Sequence, residues 1–293
     1  MNKLFEAVER EEAPMYDAAI ITEDGTLYWK NSCCHNANNS HSATKLVVAT
    51  GIGILCDRGL LSPDTKITSL FTDDEKPEDM DEKWDLVTVK DALMHRTGID
   101  EVPYGVDEDE HVALIGKDYL KYVFSLKIMH EPGTYRRYSD AAYYLLCRVI
   151  HKASGLYADE FFKQNIFDPL SFRQWAMAKC PMGHPIGGGG FFCRADDLAK
   201  LGYTYAMNGV YDGKRIISEK WISEATASDY ALTRFRDTDV FVKTGARGQM
   251  VAFSAERKTG VSWHGCSAPD DNGKRNDRLL EAFVAYLDEK EQK

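Results

Sequence analysis

A serine followed three residues later by a lysine, Ser42-Ala43-Thr44-Lys45, has the residue types and spacing for acyl transfer. If a helix begins near Ser42, residues three apart share a face, and the two side chains come within reach. A serine hydroxyl needs a base to become a nucleophile. Lysine serves as that base when burial or a nearby cation lowers its pKa. The helix N-terminus would also place backbone N–H dipoles beside Ser42. The same four residues fit a plainer alternative, in which Ser42 caps the helix and Lys45 reaches out to solvent.

A second group is Tyr138-Ser139-Asp140, just ahead of an apolar helical stretch. A tyrosine at such a junction can relay a proton to a leaving group. Asp140, on its position alone, could equally be a helix cap. A third group is Lys243-Thr244-Gly245, which ends a strand pattern and runs into Ala246-Arg247-Gly248-Gln249. Gly245 would let substrate lie along the strand edge, and the N–H groups of Ser42 and Ala246 could form an oxyanion hole. Arg247 could grip a substrate carboxylate at two points or simply lie on the surface. A second Lys-Thr-Gly, Lys258-Thr259-Gly260, falls between two strand patterns and reads as a hairpin turn.

The elements that must position these groups follow from periodicity. Residues 1–12 read as a short helix. Tyr16–Thr22 and Thr26–Lys30 read as a hairpin turning at Asp24-Gly25. Ser42–Asp57 is apolar nearly all round, the mark of a buried helix, and Gly59 suits its end. Helical patterns follow at 87–95, Ala141–Ser154 and Asp196–Asn208, with acidic loops at Asp73–Glu82 and Asp107–Glu110. Period-2 patterns return at Asp239–Lys243, Gln249–Ser254 and Val261–His264, before a closing helix at 274–290. Strands at both ends around a helical block predict an α+β architecture. Its sheet part is 1–58 plus 231–293, its helical part is 59–230, and the site lies between them.

The order SxxK, Y-S-(N/D), KTG resembles the serine β-lactamase and penicillin-binding superfamily. The connecting sequence is similar to the class C β-lactamase-like esterases, the family VIII type. Leu93-Met94-His95-Arg96-Thr97-Gly98-Ile99 resembles their "LLxHxSGI", and Glu131-Pro132-Gly133-Thr134 leading to Tyr138-Ser139-Asp140 resembles "PGxxxxYSN". Ile166-Phe167-Asp168-Pro169-Leu170 resembles "IFxPLG", Gly188 to Leu198 resembles "GGlxSTaxDLa", and Gly245 to Gln249 resembles "GxxGQ". The likeness spans residues 16–285. It implies an antiparallel sheet flanked by helices, with an inserted helical domain. It also implies roles: Ser42 as acylated nucleophile, Lys45 and Tyr138 sharing acid and base work, Lys243 assisting electrostatically, and the Ser42 and Ala246 N–H groups holding the oxyanion. One departure is Asp140, where the family usually has Asn. An anion near Lys45 favours its charged form, which makes a poorer base unless Lys243 balances it.

Composition narrows the partners. The net charge of −10 disfavours nucleic acid and anionic membranes. No apolar run has membrane-helix length, and Met1–Glu12 is too charged for a signal peptide. Seven cysteines at irregular spacings suit neither a disulfide framework nor a zinc site; Cys33-Cys34 reads as a buried pair. The expectation is a cytoplasmic hydrolase needing no metal or organic cofactor, with oligomeric state open. No G-x-S-x-G elbow is present, so a triad of Ser42, His264 and an aspartate is the weaker reading. The substrates expected are small esters first, then D-amino-acid amides or peptides, then β-lactams. The alternative is a catalytically impaired ligand-binding protein that keeps the fold.

Overall fold

The two ends of the chain build one sheet. The computed structural model describes residues 2–10, 15–30, 36–100, 115–266 and 274–291. Cys33, Cys34 and the acidic stretch Asp107–Glu110 lie outside them. Helix α1 (Lys3–Arg10) precedes the hairpin of β1 (Met15–Thr22) and β2 (Gly25–Lys30). Its turn is Glu23-Asp24, one residue earlier than expected, because Gly25 enters the strand at φ 123°.

After β3 (Asn38–Asn39) come α2 (Thr44–Asp57), α3 (Val89–Leu93), α4 (Tyr119–Ser125), α5 (Asp140–Ser154) and α6 (Ala158–Phe162). Strands β4 (Trp175–Met177) and β5 (Phe191–Cys193) lead into α7 (Ala195–Ala206). The short pair β6 (Val210–Tyr211) and β7 (Lys214–Arg215) precedes α8 (Glu219–Ala227). Then follow β8 (Thr233–Arg234), β9 (Val240–Gly245), β10 (Gln249–Ser254), β11 (Thr259–Gly265) and α9 (Lys274–Glu291).

The main sheet has six strands in the order β2-β1-β11-β10-β9-β8. Antiparallel pairing of β1 with β11 aligns Ala18 with Trp263 and Ile20 with Val261. One face packs on α1 and α9 through Leu4, Val8, Phe283 and Leu287. The other carries α7, so close that a Cβ on Gly260 would sit 2.2 Å from the Tyr203 nitrogen. This fixes the second Lys-Thr-Gly: Lys258 is in the turn, where it pairs with Glu23 at 3.1 Å, and Gly260 faces α7.

Helix α2 is buried from Thr44 to Leu55. Gly51 and Gly53 let Phe162 and Trp221 approach its backbone, where a Cβ would be 2.5 and 2.4 Å from their side chains. It shares one large apolar core with α3 to α6 and α8. Among the described residues no helix is long and apolar enough to cross a membrane.

Candidate active site

Ser42 lies in a 3-10 turn, His41–Ala43, that runs into α2 at Thr44. The helix therefore starts two residues later than the sequence suggests, because local polar groups intervene. The Thr44 hydroxyl donates to the His41 carbonyl at 2.6 Å, and the His41 N–H donates to Asn39 Oδ1 at 2.8 Å. His41 itself takes a left-handed φ of 45°, an uncommon conformation for a non-glycine residue. The turn is anchored by β5. The Ser40 N–H donates to the Phe191 carbonyl at 2.7 Å, and the Phe191 N–H donates to Thr44 Oγ1 at 3.3 Å.

The i, i+3 relation holds across this junction. Lys45 Nζ lies 3.2 Å from Ser42 Oγ. The Lys45 side chain is 0% exposed, which rules out the solvent-reaching alternative. Its ammonium also donates to the Asp140 carboxylate, in a short ion pair, and to the Gly188 carbonyl at 2.5 Å. Asp140 is not the helix cap. Ser139 is, accepting from the Ala142 N–H at 3.2 Å, and this frees the Asp140 carboxylate to turn towards Lys45. Gly188 makes room for that: a Cβ there would sit 2.6 Å from Asp140 Cβ. The glycine run thus acts by close approach and by lending a carbonyl.

Tyr138 is 43% exposed and stacks on His95, ring centroids 4.5 Å apart. Lys45 Nζ lies 4.6 Å from the centre of the Tyr138 ring, and Lys243 Nζ lies 5.5 Å from it. His95 ties the two motifs that flank it in space. Its Nδ1 accepts from the Ser139 N–H at 3.2 Å, and its carbonyl accepts from the Arg137 N–H at 2.8 Å. Burial, then the charges of Lys45, Lys243 and Arg136, push its pKa down to about 2. His95 is therefore a neutral platform for Tyr138.

Strand β9 delivers Lys243, Thr244 and Gly245 to the same place. A Cβ on Gly245 would lie 2.4 Å from the Ser40 carbonyl oxygen and 3.2 Å from the Ala43 nitrogen. The end of β9 therefore presses against the turn that carries Ser42, and Ala246 follows at once. Lys243 is half-buried, and its pKa is lowered to about 7, first by desolvation and then by the Lys45 charge. Arg247 is exposed, at φ 60°. The pKa of His41 is lowered by burial and then by the Arg247 charge. Gln249 is buried and staples β10 to β11. Its side-chain nitrogen donates to the Gly265 carbonyl at 2.7 Å, and its oxygen accepts from the Gly265 N–H at 3.1 Å.

His264 does not join Ser42. Its Nε2 is 3.2 Å from Ser40 Oγ and its Nδ1 is 3.2 Å from Asp17 Oδ1. Ser40 and His264 are fully buried, so this Ser–His–Asp chain is sealed from solvent and braces the turn from beneath. Sequence reasoning missed Ser40, Asp17, the Gly188 carbonyl and the platform role of His95. Only His95 and Gly188 had a signal, their place in the quoted motifs.

A family model described as Beta-lactamase matches residues 18–282. Solved structures share the fold. A penicillin-binding protein homologue from Caulobacter crescentus is 18% identical with a TM-score of 0.77, covering 97% of this chain and 96% of its own. A family VIII carboxylesterase is 17% identical with a TM-score of 0.74, covering 97% and 95%. The D-amino acid amidase of Ochrobactrum anthropi SV3, complexed with L-phenylalanine amide, is 16% identical with a TM-score of 0.72, covering 97% of each chain.

Proposed function

The chain belongs to the β-lactamase family, and from that premise we propose that it is a serine hydrolase working through an acyl-enzyme on Ser42. The observation that carries this reading is the 3.2 Å approach of a fully buried lysine amine, Lys45, to the Ser42 hydroxyl. Ser42 Oγ attacks a carbonyl carbon while the Lys45, Tyr138 and Lys243 cluster handles its proton. The N–H groups of Ser42 and Ala246 receive the developing oxyanion, a contact worth about 10²–10³ in rate per donor. Thr244 and Gly245 line the strand edge beside substrate. Arg247, exposed at the end of that edge, would meet a carboxylate on it. Water then releases the acyl group.

Small esters are the first substrate class, followed by D-amino-acid amides or peptides, then β-lactams. A carboxylesterase and an amidase are among the proteins that share the fold, in keeping with an ester or amide substrate. The site lies where the sheet part, 1–58 plus 231–293, meets the helical part, 59–230. A cytoplasmic setting belongs to the same reading, supported by the free thiols of Cys56, Cys147, Cys180, Cys193 and Cys266. A second reading, a binding protein that no longer acylates, is favoured by one observation, the Asp140–Lys45 ion pair.

Intact-protein mass spectrometry after brief exposure to p-nitrophenyl acetate, with Ser42→Ala in parallel, separates the two. An acetyl mass or p-nitrophenol release confined to the wild type supports the hydrolase. Equal silence of both proteins supports the binding protein.

A further inference from the structure

We infer that the Asp140 carboxylate is itself a substrate contact, and that it selects acyl groups carrying a free amine beside the scissile carbonyl, as in α-aminoacyl esters and amides. This inference rests on the acyl-transfer reading above and deepens it.

The two oxygens of Asp140 stand in different surroundings. Oδ1 meets the Lys45 amine in the ion pair. Gly188 covers the same side, since a Cβ there would come within 2.7 Å of Oδ1. Oδ2 has no hydrogen-bond partner among the described residues and is not sealed in the interior. The Asp140 side chain is 26% exposed, against 0% for Lys45. The carboxylate therefore keeps one oxygen open to the cleft while the lysine behind it is closed off.

That oxygen is close to the reacting centre. The Lys45 amine bridges Ser42 Oγ and Asp140, so the carboxylate is two hydrogen bonds from Ser42 Oγ. An amine on the carbon next to an acyl carbon stands about 2.5 Å from that acyl carbon. A carbonyl carbon bonded to Ser42 Oγ thus carries such an amine towards Asp140.

The chemistry of the side chain sets what it can recognise. A carboxylate only accepts, at about four lone-pair sites, and Lys45 occupies one of them. An asparagine here would offer N–H groups to a substrate carbonyl; aspartate offers none, and matches a substrate donor instead. A charged donor is preferred, because a charge-assisted hydrogen bond is roughly twice as strong as a neutral one. Among the described residues in contact with Lys45 or Tyr138, Asp140 is the only acid. The cations Lys243 and Arg247 belong to β9 and the turn after it. An amine at α5 and a carboxylate at the end of β9 would suit both ends of an aminoacyl substrate.

A bound cation also lifts the burden that the ion pair places on Lys45. Whenever Lys45 gives up a proton, the Asp140 charge loses its partner in a largely buried site. A substrate ammonium on Oδ2 supplies a replacement, and an alkyl group does not. The carboxylate that handicaps neutral esters therefore favours cationic ones.

Two measurements test this. The first compares the p-nitrophenyl esters of D- and L-alanine with p-nitrophenyl isobutyrate, which has a methyl group where the alanyl esters have an ammonium. Dividing the alanyl-to-isobutyryl ratio of kcat/KM in the wild type by the same ratio in Asp140→Asn cancels the intrinsic reactivity of each ester. The quotient is expected to be about 10–100 for at least one hand of alanine. A quotient near one for both hands shows that Asp140 acts only through Lys45 and overturns the inference. The second measurement needs no turnover. Ser42→Ala protein is titrated with alaninamide of either hand and with isobutyramide, followed by NMR. One hand of the cation is expected to bind about 10-fold more tightly than the neutral amide, and adding Asp140→Asn should abolish the difference. Equal binding in the Ser42→Ala protein, or a difference that survives Asp140→Asn, overturns the inference. A wild type that acylates none of the esters refutes the acyl-transfer reading instead, and the binding comparison still decides whether Asp140 meets an amine.

Discussion

Replacing Gly245 with alanine tests whether the end of β9 sets the position of Ser42. The new Cβ would stand 2.4 Å from the Ser40 carbonyl oxygen and 2.9 Å from Gln249 Cβ. That carbonyl cannot swing aside freely. It accepts from the Ala43 N–H at 3.0 Å, while the Ser40 N–H is held by Phe191 at 2.7 Å. Nor can β9 retreat easily, since it is paired residue by residue with β10 from Gly245 to Val240. The 3-10 turn must therefore recede, by about 1 Å to restore ordinary contact, a displacement that can cost about 10²-fold in rate. Overpacking of this kind also costs about 1–3 kcal/mol of stability. Stopped-flow acylation by p-nitrophenyl acetate, beside urea unfolding of the same samples, reads both effects. A folded Gly245→Ala protein acylating at the wild-type rate would show that β9 does not constrain Ser42.

Two further outcomes follow from buried polar groups. His95 is neutral when folded, with a pKa of about 2 against an ordinary 6.5, so below about pH 6.5 the unfolded chain binds the extra proton. Stability contributed by this residue is thus complete above pH 6.5 and falls as pH drops towards 2. His95→Gln should flatten the acid side of a urea-stability profile by up to one proton, and an unchanged slope would contradict the neutral platform. Gln249→Leu removes the side chain that bonds both the N–H and the carbonyl of Gly265. It should cost about 1–3 kcal/mol for each backbone group left unpaired, seen as a lower urea midpoint; an unchanged midpoint would show that β10 and β11 do not need the staple.

The i, i+3 spacing of Ser42 and Lys45 was readable because it is local: one turn of chain carries both residues. The hairpin β1–β2 and the strands β9, β10 and β11 were readable for the same reason, through alternation and turn residues. What Asp140 does was not readable as geometry, since its partner Lys45 lies 95 residues away. Ser40 and His264 are separated by 224 residues, and His264 and Asp17 by 247, so no spacing announces that chain. Asp197 shows how a motif residue can be legible without its reason. Its buried carboxylate accepts from the Arg173 N–H at 2.8 Å and from Lys200 at 2.7 Å, pinning the loop before β4 to α7. The position of α7 on the sheet had no local signal either, because it depends on Gly260 in a strand made much later in the chain.

The pairing of β1 with β11 sets a schedule for synthesis. While a ribosome is still adding the helical block, β1 and β2 exist only as a hairpin whose β1 edge is open, because its eventual neighbour there has not been made. Ser42 has by then left the exit tunnel, but the supports that hold it, His264 beneath and Gly245 beside, are made only after the helical block. Contacts so distant in sequence form slowly, and an open strand edge invites pairing with other chains. The nascent protein therefore passes most of its synthesis with the Ser42 turn unsupported and an adhesive β1 edge, and both are resolved together when β11 docks.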